Sequence, residues 1–199
     1  MKRIGIMLSV LFLVLLSGCA KDLVSGKTTL NYYGVTGEGK LGQIVLDSQL
    51  KALKAKNVKL DAAADPKEYP QIQSVVTKIA AVSHYSEFPY EAHLADVDIV
   101  NAWCAPGGKI MVYTGLWAPK KGLVEKGNED ELAAVLSHEI AHATARHVTE
   151  SISRNLTIIM VGTAAQSAIA VGGSADAVNL FGQIFSDGMN IFVPSYSRL

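Results

Sequence analysis

Apolar positions recur at helical intervals in three stretches of the chain and alternate in a fourth. Between Leu41 and Lys56, residues Leu46, Leu50 and Leu53 fall at i, i+4 and i+7, the spacing of one helix face, although Gly42 weakens the start. Pro70 to Val82 is a stronger helix, with Ile72, Val75, Val76, Ile79 and Ala80 on one face. Its proline stands in the first turn, where a missing N–H does no harm. From Glu91 to Trp103 the period shortens. Asp96-Val97-Asp98-Ile99 alternates and Val100 and Trp103 add β-branched and aromatic content, which predicts a strand. Pro106-Gly107-Gly108 reads as a turn and Lys109 to Tyr113 as a second strand, a hairpin-like pair with a loop longer than a tight turn.

The third helical stretch has the clearest start. Asn128 with Glu131 three residues on is a capping-box pattern, and Glu129 and Asp130 place negative charge at the positive end of the helix dipole. The helix is expected to run to about Thr149. With Leu132 as the zero of a helical wheel, Leu136, Ile140 and Ala143 lie within about 80°, a stripe wide enough to face a core. A small antiparallel sheet packed on helices, a helix-rich α+β fold, follows from this order of elements.

The remaining apolar excess sits at the N-terminus. Lys2 and Arg3 precede Ile4 to Leu16, an uncharged run of about thirteen residues, which suits a signal sequence and is short of a membrane span. Leu16-Ser17-Gly18-Cys19 then resembles the bacterial lipobox, which implies lipidation of Cys19 and a signal peptide over 1–18. Several acyl chains on one residue hold a protein to a bilayer where one chain binds only weakly. No Asp follows the cysteine, so an outer-membrane anchor facing the periplasm is expected. Residues 19–40, rich in Gly, Thr, Ser and Asn, read as a tether, and 41–199 as the folded domain.

The chain has 199 residues, 18 Lys+Arg against 18 Asp+Glu and 49% hydrophobic residues. The zero balance argues against a nucleic-acid binder, and two cysteines are too few for a disulfide framework. Asn155 to Ala175 is uncharged, but its Thr, Gln, Ser and Gly content makes it a poor span.

The chemistry is concentrated in His138-Glu139-Ile140-Ala141-His142, an H-E-x-x-H match. At about 100° per residue, His138 and His142 differ by roughly 40° around the axis and stand one turn apart, so both imidazoles can face one Zn²⁺. Glu139 lies only about 60° from His142, near enough to take a proton from a metal-activated water without ligating the ion. On a continuous helix His147 would fall roughly 180° from His138, among apolar positions, which points to a core histidine, or one bonding the domain's own backbone, rather than a ligand. Arg146 falls on the site side, either orienting a carboxylate or lying solvated at the helix end. A catalytic zinc usually has three protein ligands and a water. His84 and His93 upstream and Asp176 and Asp187 downstream are candidates for the third, none with a motif of its own.

Three segments together look like the HtpX-like and CAAX-prenyl-protease-like zinc metallopeptidases, family forty-eight of the metallopeptidases, in their periplasmic lipoprotein branch. They are Asn101 to Ile110 with Tyr113-Thr114-Gly115-Leu116, then Glu131 to Ser137 running into the metal helix and Arg146-His147, and the terminal Pro194-Ser195-Tyr196-Ser197-Arg198. The resemblance implies a gluzincin-like domain with one Zn²⁺ per chain. His138 and His142 would be ligands and Glu139 the general base. The third ligand would be a Glu in an E-x-x-x-D-like stretch just beyond Leu199, so the chain is expected to lack the C-terminal part of the domain. The resemblance also implies that Asn101, Ala102, Trp103, Cys104 and Ala105 form an edge strand that pairs with an extended peptide substrate.

Two functions of different kind follow. One is a lipid-anchored zinc endopeptidase of the bacterial envelope that cleaves misfolded or unassembled envelope proteins, with envelope assembly proteins as possible partners. The other is a catalytically silent lipoprotein, a scaffold or chaperone-like binding module with an incomplete zinc site.

Overall fold

The structure, a computed structural model, describes residues 19–157. Residues 1–18, expected to be a signal peptide, all but the first residues of the uncharged run 155–175, Asp176, Asp187 and the terminal 194–198 lie outside the described residues. The elements in chain order are β1 (Cys19–Lys21), β2 (Thr28–Leu30), α1 (Val35–Ala55), α2 (Glu68–Val82), β3 (Glu91–Ala95), β4 (Ala102–Ala105), β5 (Lys109–Tyr113) and α3 (Glu129–Thr144). Residues 147–157 are again helical, labelled α4. The fold is helix-rich α+β.

The centre is a three-stranded sheet in the order β3-β5-β4. β5 is buried along its whole length, and alternation sends its side chains to two different cores. Ile110 and Val112 join Ala92 and Leu94 of β3 and Ala102 and Cys104 of β4. On that face they meet Ile72, Val75 and Val76 of α2 and Leu132, Leu136, Ile140 and Ala143 of α3. Met111 and Tyr113 point the other way, against Leu46 and Leu53 of α1 and the flank of Trp103. The sheet is therefore a middle layer, with α2 and α3 on one face and α1 on the other.

Each helix buries the face that its spacing predicts, including all four stripe residues of α3. Asn128 caps α3 as expected, its side chain accepting from the N–H of Glu131. The Glu131 carboxylate does not reach back to Asn128; it accepts from the N–H of Glu125 at 2.6 Å and ties down the preceding loop.

Four expectations need correction. The sheet is mixed rather than antiparallel: β4 and β5 form the hairpin around Pro106-Gly107-Gly108, but β3 pairs with β5 in parallel. The first strand is Glu91–Ala95, and the alternating Asp96 to Ile99 is a set of tight turns, with Val97 N–H bonded to Ala95 and Ile99 N–H to Val97. Segment 19–40, read as a tether, instead holds the antiparallel β1–β2 pair and the first turns of α1. Helix α3 ends at Thr144, five residues early, because Arg146 adopts a left-handed backbone with φ 60°.

Gly42 has a structural reason. A Cβ there would meet the carbonyl oxygen of Pro106 at 1.8 Å, so α1 lies against the hairpin turn only because that position is bare.

Candidate metal centre

His138 and His142 stand one turn apart on α3, as the wheel requires. Their Nε2 atoms are 3.1 Å apart, with ring centroids separated by 4.6 Å and planes at 89°. Two nitrogens each about 2.0–2.1 Å from a tetrahedral ion are about 3.3–3.4 Å apart. The pair is therefore spaced close to what a shared zinc demands. Both rings reach solvent at least in part, leaving the seat open to a substrate.

Glu139 is turned inward. It is 8% exposed, and its Oε2 has no hydrogen-bond partner among the described residues. Burial pushes its carboxyl up to about 7, which suits a group that takes and returns a proton near neutrality. Burial, followed by the neighbouring His138 and His147, lowers the pKa of His142 and favours the neutral ring that a metal needs. An inward acid with an unsatisfied oxygen beside two converging imidazoles is a donor set that fits zinc and a water.

Among the described residues no group of three His, Cys, Asp or Glu is arranged to hold a metal ion. His93, one candidate third ligand, is on β3 with both ring nitrogens engaged, Nδ1 to Asp61 at 3.0 Å and Nε2 to Glu91 at 3.1 Å. His84 is exposed in the loop after α2. His147 is not a core histidine. It is exposed, and its Nδ1 sits 2.8 Å from Nδ1 of His142. The wheel misplaced it because the helix breaks at Arg146. Arg146 itself is neither solvated nor aimed at the metal seat. It is 4% exposed, and its Nε donates to Glu38 Oε1 at 2.8 Å and its Nη1 to the carbonyl of Lys21 at 3.1 Å.

Segment Asn101 to Ala105 contains the edge strand β4, Ala102–Ala105. β4 ends the order of the sheet, and no described strand pairs with its other side. It packs against α3. Tyr113 N–H bonds to the carbonyl of Asn101, so in the antiparallel alternation Trp103 and Ala105 also point their backbone groups to β5. Ala102 and Cys104 present theirs to the open edge. The Cys104 and Ala102 side chains are buried on the α3 side, and Trp103 lies on the other face, bonding Tyr113 through its indole N–H at 3.2 Å. Burial, and then the Glu139 carboxylate, raise the Cys104 thiol far out of reach of ionisation, so it is a packing residue. Cys19, the expected lipidation site, is exposed at the start of β1.

The buried knot around Arg146 carried no sequence signal beyond the Arg146-His147 pair. Its partners, Glu38, Asn31 and Thr149, are far apart in the chain.

An H-E-x-x-H helix laid against the edge strand of a small sheet defines a metal-helix peptidase architecture. Comparison with known families agrees: residues 66–199 match Peptidase family M48, and the chain belongs to that family. Among curated proteins it is 44% identical over 77 residues to the mitochondrial metalloendopeptidase OMA1 of Arabidopsis thaliana, covering 39% of this chain and 15% of that protein. It is 35% identical over 102 residues to OMA1 of Schizosaccharomyces pombe, covering 51% and 28%. A third relative is the beta-barrel assembly-enhancing protease of Yersinia pestis, 30% identical over 88 residues, covering 44% and 17%. The chain thus spans between 15% and 28% of the length of these three relatives.

Proposed function

We propose that the protein is a zinc-dependent endopeptidase, held by a lipid on Cys19 in the bacterial envelope and acting on misfolded or unassembled envelope proteins. The observation that carries the reading is the convergence of the His138 and His142 Nε2 atoms at 3.1 Å beside the buried carboxyl of Glu139. His138 and His142 would hold one zinc per chain, completed by a third ligand. When bound, the ion supplies Lewis acidity that polarises a carbonyl and acidifies water. Glu139 takes the proton of the attacking water at its unsatisfied oxygen and passes it to the leaving amine. The open backbone groups of Ala102 and Cys104 pair with an extended peptide and hold it beside α3, so that sequence matters less than an unfolded, strand-forming backbone. That preference suits substrates that have failed to fold or assemble.

The envelope setting is supported by the signal-like N-terminus and by likeness to a protease named for β-barrel assembly. No helix among the described residues is long and apolar enough to cross a membrane. Partners among envelope assembly proteins follow from the same likeness. The alternative is a scaffold or chaperone-like module that keeps this fold with an incomplete zinc site built on the two converging imidazoles of His138 and His142.

Casein cleavage by the full chain separates the two. The enzyme reading expects chelator-sensitive hydrolysis that falls by at least about 100-fold in Glu139→Gln, with zinc content retained. Unchanged cleavage in that variant rules out the proposed base, and zinc-free protein that holds unfolded clients without cutting them supports the scaffold.

A further inference from the structure

Beyond the two ligands and the base, the break between α3 and α4 performs a task of its own. On a continuous helix His147 would face away from His138. Instead the chain turns through Arg146 at φ 60° and re-enters a helix at residue 147. That turn swings the His147 ring back over the last turn of α3, to 5.1 Å between centroids from His142 and 2.8 Å between the two Nδ1 atoms. The His142 ring is then engaged at both nitrogens on opposite sides: Nε2 toward His138 and the metal seat, Nδ1 toward His147. His147 is therefore behind His142 as seen from the seat and cannot be a ligand with it.

The chemistry of the contact is fixed by counting protons. A neutral imidazole carries one N–H. A metal takes the lone pair at His142 Nε2, so the proton belongs on Nδ1, where it faces His147. For a hydrogen bond His147 Nδ1 must present its lone pair and keep its own proton on Nε2. Metal-bound histidines commonly donate their second N–H to a carboxylate, carbonyl or water that sets tautomer and ring angle. Here another imidazole stands in that place.

A left-handed backbone is unfavourable for a residue other than glycine, so the turn needs a cause. Arg146 is held on three sides: its Nη2 donates to the carbonyl of Tyr33, its Nη1 to that of Lys21, and its Nε to the buried Glu38. Glu38 Oε1 also accepts from Thr149 of α4 and from Asn31. The N-terminal segment and α1 thus meet on one guanidinium, with α4 tied in through Thr149 and Glu38, and this fixes the break.

We propose that His147 is a positioning residue: its Nδ1 accepts the Nδ1–H of His142 and so holds the tautomer that leaves Nε2 for zinc, and the locked left-handed Arg146 delivers it there. The tautomer and its consequence for zinc rest on the metallopeptidase reading above; the 2.8 Å contact between the two Nδ1 atoms does not.

The test uses the full chain labelled with ¹⁵N in histidine, in wild type, His147→Leu and His147→Gln. His147 is exposed, so neither variant opens the core. Long-range ¹H–¹⁵N correlation on metal-free protein is expected to show His142 protonated at Nδ1 in wild type, a mixture of tautomers in the leucine variant, and recovery in the glutamine variant, whose carbonyl can accept. Competition against a chelator is expected to show zinc binding about 10–100-fold weaker in the leucine variant, with most of it restored by glutamine. The proposal is overturned if the leucine variant keeps the wild-type tautomer, if its zinc affinity matches wild type, or if glutamine is no better than leucine. Should wild type bind no zinc at all, the metallopeptidase reading fails on that result alone, and the NMR arm still decides the role of His147.

Discussion

Removing the carboxylate of Glu38 should cost more stability than any surface charge change in this protein. Glu38 and Arg146 have side chains 1% and 4% exposed, 2.8 Å apart. The Glu38 Oε1 atom collects donors from Arg146, Thr149 and Asn31. In Glu38→Ala the guanidinium stays buried with only the Lys21 and Tyr33 carbonyls. Breaking one side of a buried pair costs about 3–5 kcal/mol, and the two remaining carbonyls put the expectation near the lower figure, about 3 kcal/mol. For a chain of this size that is roughly 6–12 °C in Tm. Urea and thermal unfolding at low salt and in 1 M NaCl read it out, and because the pair is out of solvent the loss should survive high salt. The double variant Glu38→Leu/Arg146→Met should recover a large part of it, since paired apolar replacement leaves no stranded charge. A loss under about 1 kcal/mol, or one erased by salt, would refute the view that this pair locks the helix break.

Three further outcomes follow. Gly42→Ala improves intrinsic helix propensity by about 1 kcal/mol, yet it should lower Tm, because the new Cβ meets the backbone of Pro106; a rise in Tm would mean that α1 does not lie against the hairpin turn. Glu91 has its carboxyl held below the usual range first by Lys109 and then by His93. Its contribution is therefore present above the ordinary carboxylate range and lost as pH falls through the lowered folded value. The Glu91 side chain is 40% exposed, so its ion pairs are partly screened by solvent. Glu91→Gln should thus cost no more than about 1 kcal/mol at neutral pH and little in acid, as read by denaturation across pH; a cost independent of pH would contradict the assignment. Chelation followed by zinc return should restore both stability and hydrolysis, and a Tm insensitive to zinc would argue against a specific seat.

Much of this architecture was legible because it rests on local period. The stripe Leu132, Leu136, Ile140 and Ala143 fixes which side of α3 meets the sheet, and the same periodicity places His138, Glu139 and His142 at its border. The Pro106-Gly107-Gly108 turn likewise marks the β4–β5 hairpin. What escaped is what local pattern does not encode. The parallel partner of β5 is chosen by the packing of Ala92 and Leu94 over α2, so alternation at Asp96 to Ile99 drew attention to the wrong residues. The break after Thr144 carries neither Gly nor Pro; it is imposed by Glu38, more than a hundred residues earlier, acting on Arg146. A wheel continued past that point puts His147 on the wrong side. The β1–β2 pair was hidden for a similar reason, since a polar, glycine-containing stretch becomes ordered by its contact with Arg146.

Diffraction from crystals of the full chain grown with zinc, collected on both sides of the zinc absorption edge, tests the metal centre most directly. The account predicts an anomalous peak about 2.0–2.1 Å from Nε2 of both His138 and His142, with His147 touching His142 from behind and no density bridging it to the metal. A zinc-replete crystal with no peak between those two rings, or with its peak on His147 instead, would contradict it.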